Sequence, residues 1–220
     1  MKIKVCGITN MEQLHQLSEI GVAFAGFIFH QNSPRYVLRH GLSGADLKKE
    51  KIKPYKVGVF VDASYDQVMH NVDEYGLDMV QLHGKETPLE CAKISENIKV
   101  IKAFRFLEDD DVVRNIKDYY ADADMFLFDT GVAVKDKDGN TMYGGTGRKF
   151  NWNQLKGLDI GKPFFLSGGI EPGDANLIKS FQKDPVSKDF FVVDINSRFE
   201  TSPGVKDMGK VQSFIEELNS

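Results

Sequence analysis

Residues 55–82, YKVGVFVDASYDQVMHNVDEYGLDMVQL, contain one full repeat of the pattern that decides the fold. Tyr55–Val61 is an apolar run rich in β-branched and aromatic residues, and Asp78–Leu82 is a second. Such side chains fit a pleated, half-buried surface, so both runs predict strands. Between them Val68 and Val72 lie four apart and Tyr75 continues the stripe, which is the spacing of one helical face. A strand, a helix and a strand within about 30 residues make a βαβ unit, and its two strands run parallel.

The alternation extends in both directions. KIKVC (2–6), AFAGFIF (23–29), VIKAF (100–104), DMFLFD (124–129), PFFLS (163–167) and DFFVVD (189–194) bring the predicted strands to eight. Several are apolar on both faces, as expected where helices cover one side and a packed interior the other. Thr9 with Glu12 predicts a capping box for the first helix, whose face carries Leu14 and Leu17. Thr87 and Pro88 open another through Leu89 and Ala92, and Asp207 precedes Met208, Val211, Ile215 and Leu218 at helical spacing. The segments around Leu47 and from Trp152 to Leu158 predict only short helices. No Pro/Ser-rich linker divides the chain, so residues 1–220 are expected to form a single-domain α/β fold, a (β/α)8 TIM barrel. An open doubly wound sheet is the competing arrangement of the same pattern.

The formal charge of −4 argues against general nucleic-acid binding while leaving room for a local basic pocket. Two cysteines, Cys6 and Cys91, make neither a disulfide framework nor a zinc site. No metal or other cofactor is expected. No apolar run approaches the roughly 20 residues of a membrane helix, and no signal-peptide pattern opens the chain, so a cytoplasmic protein without membrane contact is expected.

In a barrel, the positions just beyond the carboxyl ends of the strands converge on one face. Here they are polar: Cys6, Arg35 of SPRY, Gln81 and His83 of QLHG, Asp129 and Asp194. Three turns at the same face carry glycine or small polar residues: Gly145, Thr146 and Gly147; Gly168 and Gly169; and Asn196, Ser197 and Arg198. Glycine lets backbone N–H groups close on an anion, and the joint position of these turns predicts a phosphate site. Individual positions stay open. Cys6 reads as a reactive thiol or a small buried hydrophobe, and Arg35 as a carboxylate ligand or half of a surface ion pair. His83 reads as a substrate contact or a structural histidine. Asp194 binds sugar hydroxyls or caps the next turn. Cys91, inside LECAKI, reads as core packing.

Taken together, KVCGIT, GFIF followed by SPRY, VGVFV, QLHG, LFDT, GGTG with FNW, LSGGI followed by proline, and SPGVKD resemble the phosphoribosylanthranilate isomerases of tryptophan biosynthesis, in order, from residue 3 to about 207. The resemblance implies an Amadori rearrangement without a cofactor, converting N-(5-phosphoribosyl)anthranilate to 1-(2-carboxyphenylamino)-1-deoxyribulose 5-phosphate. It assigns the general acid to Asp129 and the general base to Cys6. A phosphoribosyl small molecule is the implied partner, and the chain is expected as a monomer or homodimer. An ordinary thiol is mostly protonated at neutral pH, so a helix N-terminus or a cation is expected to lower the pKa of Cys6. An ordinary carboxyl is mostly ionised, so Asp129 is expected to act through burial or a minor protonated fraction. In the family a Ser-Ser-Gly turn follows the last aspartate, whereas Arg198 stands here at the glycine, and FNW replaces FDW at Asn151. The remaining alternatives are a non-catalytic phosphoribosyl-binding barrel and another phosphosugar barrel enzyme.

Overall fold

Eight parallel strands close on themselves in a computed structural model that describes residues 1–107, 110–130 and 151–220, with the backbone of two short strands, Val134–Lys135 and Thr141–Met142. The barrel strands are β1 (Lys2–Cys6), β2 (Phe24–Ile28), β3 (Tyr55–Phe60), β4 (Met79–Leu82), β5 (Lys99–Phe106), β6 (Met125–Thr130), β7 (Phe164–Leu166) and β8 (Phe190–Ile195). They pair in chain order and β8 returns to β1, with Lys4 opposite Asp194. Closure excludes the open sheet, because no described barrel strand is left as an edge.

Among the described residues seven helices cover the outside: α1 (Met11–Glu19), α2 (Gly44–Lys49), α3 (Tyr65–Tyr75), α4 (Pro88–Ser95), α5 (Val112–Ile116), α6 (Ala175–Phe181) and α7 (Met208–Asn219). After β6 the described cover is a single 3-10 turn, Trp152–Leu155, matching the weak helical pattern there. Asn151 caps it by accepting from the Asn153 N–H, so asparagine serves at that position. Capping boxes at Ser64/Gln67 and Thr87/Glu90 start α3 and α4.

One expectation about the helices needs correction. Asn10, not Thr9, caps α1, accepting from the Gln13 N–H at 2.9 Å. Thr9 is instead buried and donates its hydroxyl to Gly204 O at 2.7 Å, tying the first loop to the last. On α4 the buried residues are Cys91 and Ile94, while Leu89 is 79% exposed, because one helical face can reach the barrel and Leu89 lies off it.

The barrel interior is divided by height. Toward the amino ends of the strands, Phe24, Val57, Ile101, Leu127, Phe165 and Val192 fill it as a dry plug. Between strands and helices lies the larger apolar layer, including Phe27, Val80, Phe126, Phe128 and Phe164. Above the plug several inward positions are polar or reactive: Lys4 and Cys6 on β1, Gln81 on β4, Asp129 on β6 and Asp194 on β8. The plug supplies a rigid floor, and the chemistry-bearing side chains stand on it.

Candidate active site

Cys6 ends β1 facing inward, 5% exposed. The strand then turns through Gly7 at φ 78°, a conformation favouring glycine, and a Cβ there would meet the Arg35 chain at 2.6 Å. Arg35 therefore packs directly over the turn that follows the thiol. Burial raises the Cys6 pKa above that of an ordinary thiol; Lys4 and Lys206 oppose this, and Asp194 adds to it. The expectation of a lowered thiol is thus overturned: the cations are present, but desolvation outweighs them. Cys6 rests protonated.

Asp129 ends β6, inward, with its Oδ2 3.2 Å from His83 Nε2 and its Oδ1 accepting from the Thr130 N–H at 2.7 Å. Burial alone would raise its pKa, but the contact with His83, the Thr130 N–H and the charge of Arg105 outweigh burial and hold it below the ordinary carboxylate value. Burial does not leave Asp129 protonated at rest; it rests ionised. Burial also lowers His83, which is neutral near pH 7. Gln81 Nε2 lies 2.9 Å from His83 Nδ1. With that amide assigned as the donor, the ring proton sits on Nε2, toward Asp129. The Nε2–H is misaligned for a hydrogen bond, so the neutral ring acts on the carboxylate through its nearby N–H dipole.

Asp194 neither caps the following turn nor stands free. Its Oδ1 accepts from Lys4 Nζ at 3.0 Å, with Lys4 fully buried, and burial raises its pKa despite that ion pair. It lies in the field of both Cys6 and Asp129, so it interacts electrostatically with each of them.

Arg35 is placed by a carboxylate of the chain itself. Its Nε and Nη2 donate to Glu200 at 2.8 and 2.6 Å in a bidentate fork. Lys206, 0% exposed, donates to the same carboxylate at 2.6 Å and to Asn196 Oδ1 at 2.8 Å. Burial would raise Glu200, but Arg35 and Lys206 outweigh it and hold the carboxyl low. This part of its stabilisation is complete above the ordinary carboxyl range and is lost as pH falls through the lowered value. Glu200→Ala leaves two cations without their acceptor, so it is expected to cost roughly 3–5 kcal/mol in urea unfolding at neutral pH. An unchanged unfolding midpoint would remove this cluster from the fold's support.

Of the phosphate candidates, Gly168 and Gly169 follow β7 with φ of 92° and 71°, and Asn196, Ser197 and Arg198 follow the adjacent β8. Ser197–Phe199 is a 3-10 turn held down by Phe199 against Phe214, with Arg198 exposed. Gly145, Thr146 and Gly147 lie outside the described residues. The structure adds Lys4, Arg105, Glu200 and Lys206 to the site. Lys4 and Arg105 had a signal: each lies two residues from an inward position on its strand. Glu200 and Lys206 lie beyond the last predicted strand, where periodicity carries no information.

Among the described residues no helix is long and apolar enough to cross a membrane. The family model for N-(5'-phosphoribosyl)anthranilate (PRA) isomerase matches residues 3–217. N-(5'-phosphoribosyl)anthranilate isomerases of Parabacteroides distasonis and Phocaeicola vulgatus are each 36% identical to this chain; both matches cover 99% of it, and 93% and 98% of those proteins. The phosphoribosyl anthranilate isomerase structure from Thermotoga maritima superposes with a TM-score of 0.80 at 29% identity, covering 100% of this chain and 98% of that one. Another structure of such an isomerase, in complex with reduced 1-(o-carboxyphenylamino)-1-deoxyribulose 5-phosphate, gives 0.74 at 27% identity with the same coverage of both chains. The chain belongs to the phosphoribosylanthranilate isomerase family, enzymes of tryptophan biosynthesis.

Proposed function

We propose that this chain isomerises N-(5-phosphoribosyl)anthranilate to 1-(2-carboxyphenylamino)-1-deoxyribulose 5-phosphate, with Asp129 as general acid and Cys6 as general base. The observation that carries the reading is the pair itself: a buried thiol and a partly exposed carboxyl, both inward at the carboxyl ends of barrel strands, and both in the electrostatic field of Asp194.

Asp129 gives a proton to the furanose ring oxygen while the C1–O bond breaks, leaving a protonated imine at C1. Cys6 removes the proton from C2, and the electron pair moves to give the enolamine. Loss of the C2 hydroxyl proton and protonation at C1 then give the ketone. Protons and electrons balance within the substrate and these two side chains.

The protonation states add a constraint. At rest one proton sits on Cys6 and none on Asp129, whereas the reaction begins with the proton on Asp129 and none on Cys6. The count is the same, so reaching the working form costs energy but takes no proton from solvent. In this reading kcat/KM is therefore level across the interval between the two groups' titrations.

Arg35, already forked onto Glu200, presents its remaining guanidinium edge to the anthranilate carboxylate. The backbone around Gly168, Gly169, Asn196 and Ser197 takes the phosphate, with Arg198 supplying charge where the family has glycine. His83 and Gln81 orient Asp129. The test is to generate phosphoribosylanthranilate in place and follow its fluorescence decay with and without the protein. Faster decay with the protein supports the reading, and decay at the uncatalysed rate overturns it.

A further inference from the structure

Lys4 is a buried charge that the proposed reaction does not use. It stands on β1 two residues before Cys6, on the same inward face, with 0% exposure. Neighbouring interior positions toward the amino end are apolar, and methionine or leucine would fill this volume without the cost of burying an ammonium. Burial lowers the Lys4 pKa by itself, but Asp194 and Cys6 outweigh it, so the group stays protonated.

The opposite wall is Gly26 of β2, paired with Cys6 in the register. A Cβ built at Gly26 would lie 2.9 Å from Cys6 Sγ and 3.2 Å from Lys4 Nζ. Thiol and ammonium thus share one slot, closed by bare backbone. The charged groups bearing on the thiol are Lys4 from its own strand, Asp194 from β8 and Lys206 from the short strand Val205–Lys206. Gly26 contributes none.

We propose that Lys4 is the positioning residue for Cys6: its ammonium, clamped by Asp194, stabilises the thiolate as it forms, and Asp194 determines how much of that charge the sulfur receives. The inference rests on the reading of Cys6 as the base. A purely structural Lys4–Asp194 pair would hold β1 to β8 without affecting the sulfur, and the two roles separate in the titration of the thiol.

The experiment is an NMR titration of isotope-labelled cysteine Cβ in the full chain, paired with kcat/KM against pH. Cys91 is the internal control, since its thiol, pushed up to about 12 by burial, sits apart on α4. Lys4→Met is expected to raise the Cys6 midpoint by about one unit or more, and kcat/KM between about pH 7 and 8.5 falls by the same factor of about ten or more. Lys4→Arg keeps the charge and restores most of the midpoint. Asp194→Asn shifts the midpoint in the other direction, because an opposing carboxylate is removed.

If Lys4→Met fails to fold for want of a partner at Asp194, the double variant with Asp194→Asn removes both charges together. Its midpoint is still expected above that of the intact enzyme, since Lys4 acts on the sulfur more strongly than Asp194 does. A Cys6 midpoint unmoved in Lys4→Met, or in the double variant, overturns the proposal. A midpoint that moves while kcat/KM stays constant upholds the coupling of Lys4 to the thiol and rejects Cys6 as the base.

Discussion

Cys6→Ala is expected to lower kcat by roughly 10²–10⁴-fold, the range general-base catalysis supplies, with KM and product affinity close to those of the intact enzyme. Cys6 is 5% exposed at the end of a strand that pairs with β2 and β8 through its backbone, so loss of the sulfur leaves that pairing and the Lys4–Asp194 ion pair in place. The pH dependence carries more information than the size of the loss. Without the thiol, the only titrating partner in the proposed pair is Asp129, held ionised by His83, Thr130 and Arg105 against the effect of burial. The residual reaction must add a proton from solvent to that carboxylate. Its kcat/KM therefore falls about tenfold per pH unit from about pH 7 to 8.5, where the intact enzyme stays level. Circular dichroism and the unfolding midpoint establish that the variant is folded. Turnover unchanged in Cys6→Ala would remove the thiol from the reaction.

The same electrostatics explain what could and could not be read from the chain. Strands such as YKVGVFV and DMFLFD announce themselves because a parallel strand must be apolar on both faces, which leaves few alternatives for such runs. Strand ends followed by polar residues then locate the reactive face, since inward side chains above the dry plug have nowhere else to point. Thr9 shows the limit of local rules. It fits a capping box by spacing, yet Gly204, 195 positions away in the chain, takes its hydroxyl, and Asn10 caps instead. The protonation states of Cys6 and Asp129 were illegible for the same reason. A nearby cation lowers a thiol only if its attraction exceeds the desolvation it shares, and that balance depends on how tightly β2, β8 and the last loop close around β1. Arg35 was visible as a cation in SPRY, but Glu200, which orients it, lies outside any periodic segment.

Asp129→Asn tests the other half of the pair and predicts a profile of opposite slope. Asparagine keeps the shape of the carboxyl, and its Oδ1 still accepts from the Thr130 N–H, so β6 and its neighbours are expected to retain their geometry. What is lost is the proton donor to the ring oxygen, and kcat is expected to fall by roughly 10²–10⁴-fold, consistent with general-acid catalysis. The residual reaction has only the base to use, and Cys6 rests protonated because burial raises its pKa against the pull of Lys4 and Lys206. Each turnover then begins by losing a proton to solvent. The residual kcat/KM therefore rises about tenfold per pH unit between about pH 7 and 8.5, levelling only where the thiol titrates. A level profile in the intact enzyme, a falling one in Cys6→Ala and a rising one in Asp129→Asn require that a single proton be shared between two partners. If the Asp129→Asn profile stays level at near-normal turnover, the carboxyl is not the donor, and the proton reaching the ring oxygen must come from a group other than Asp129.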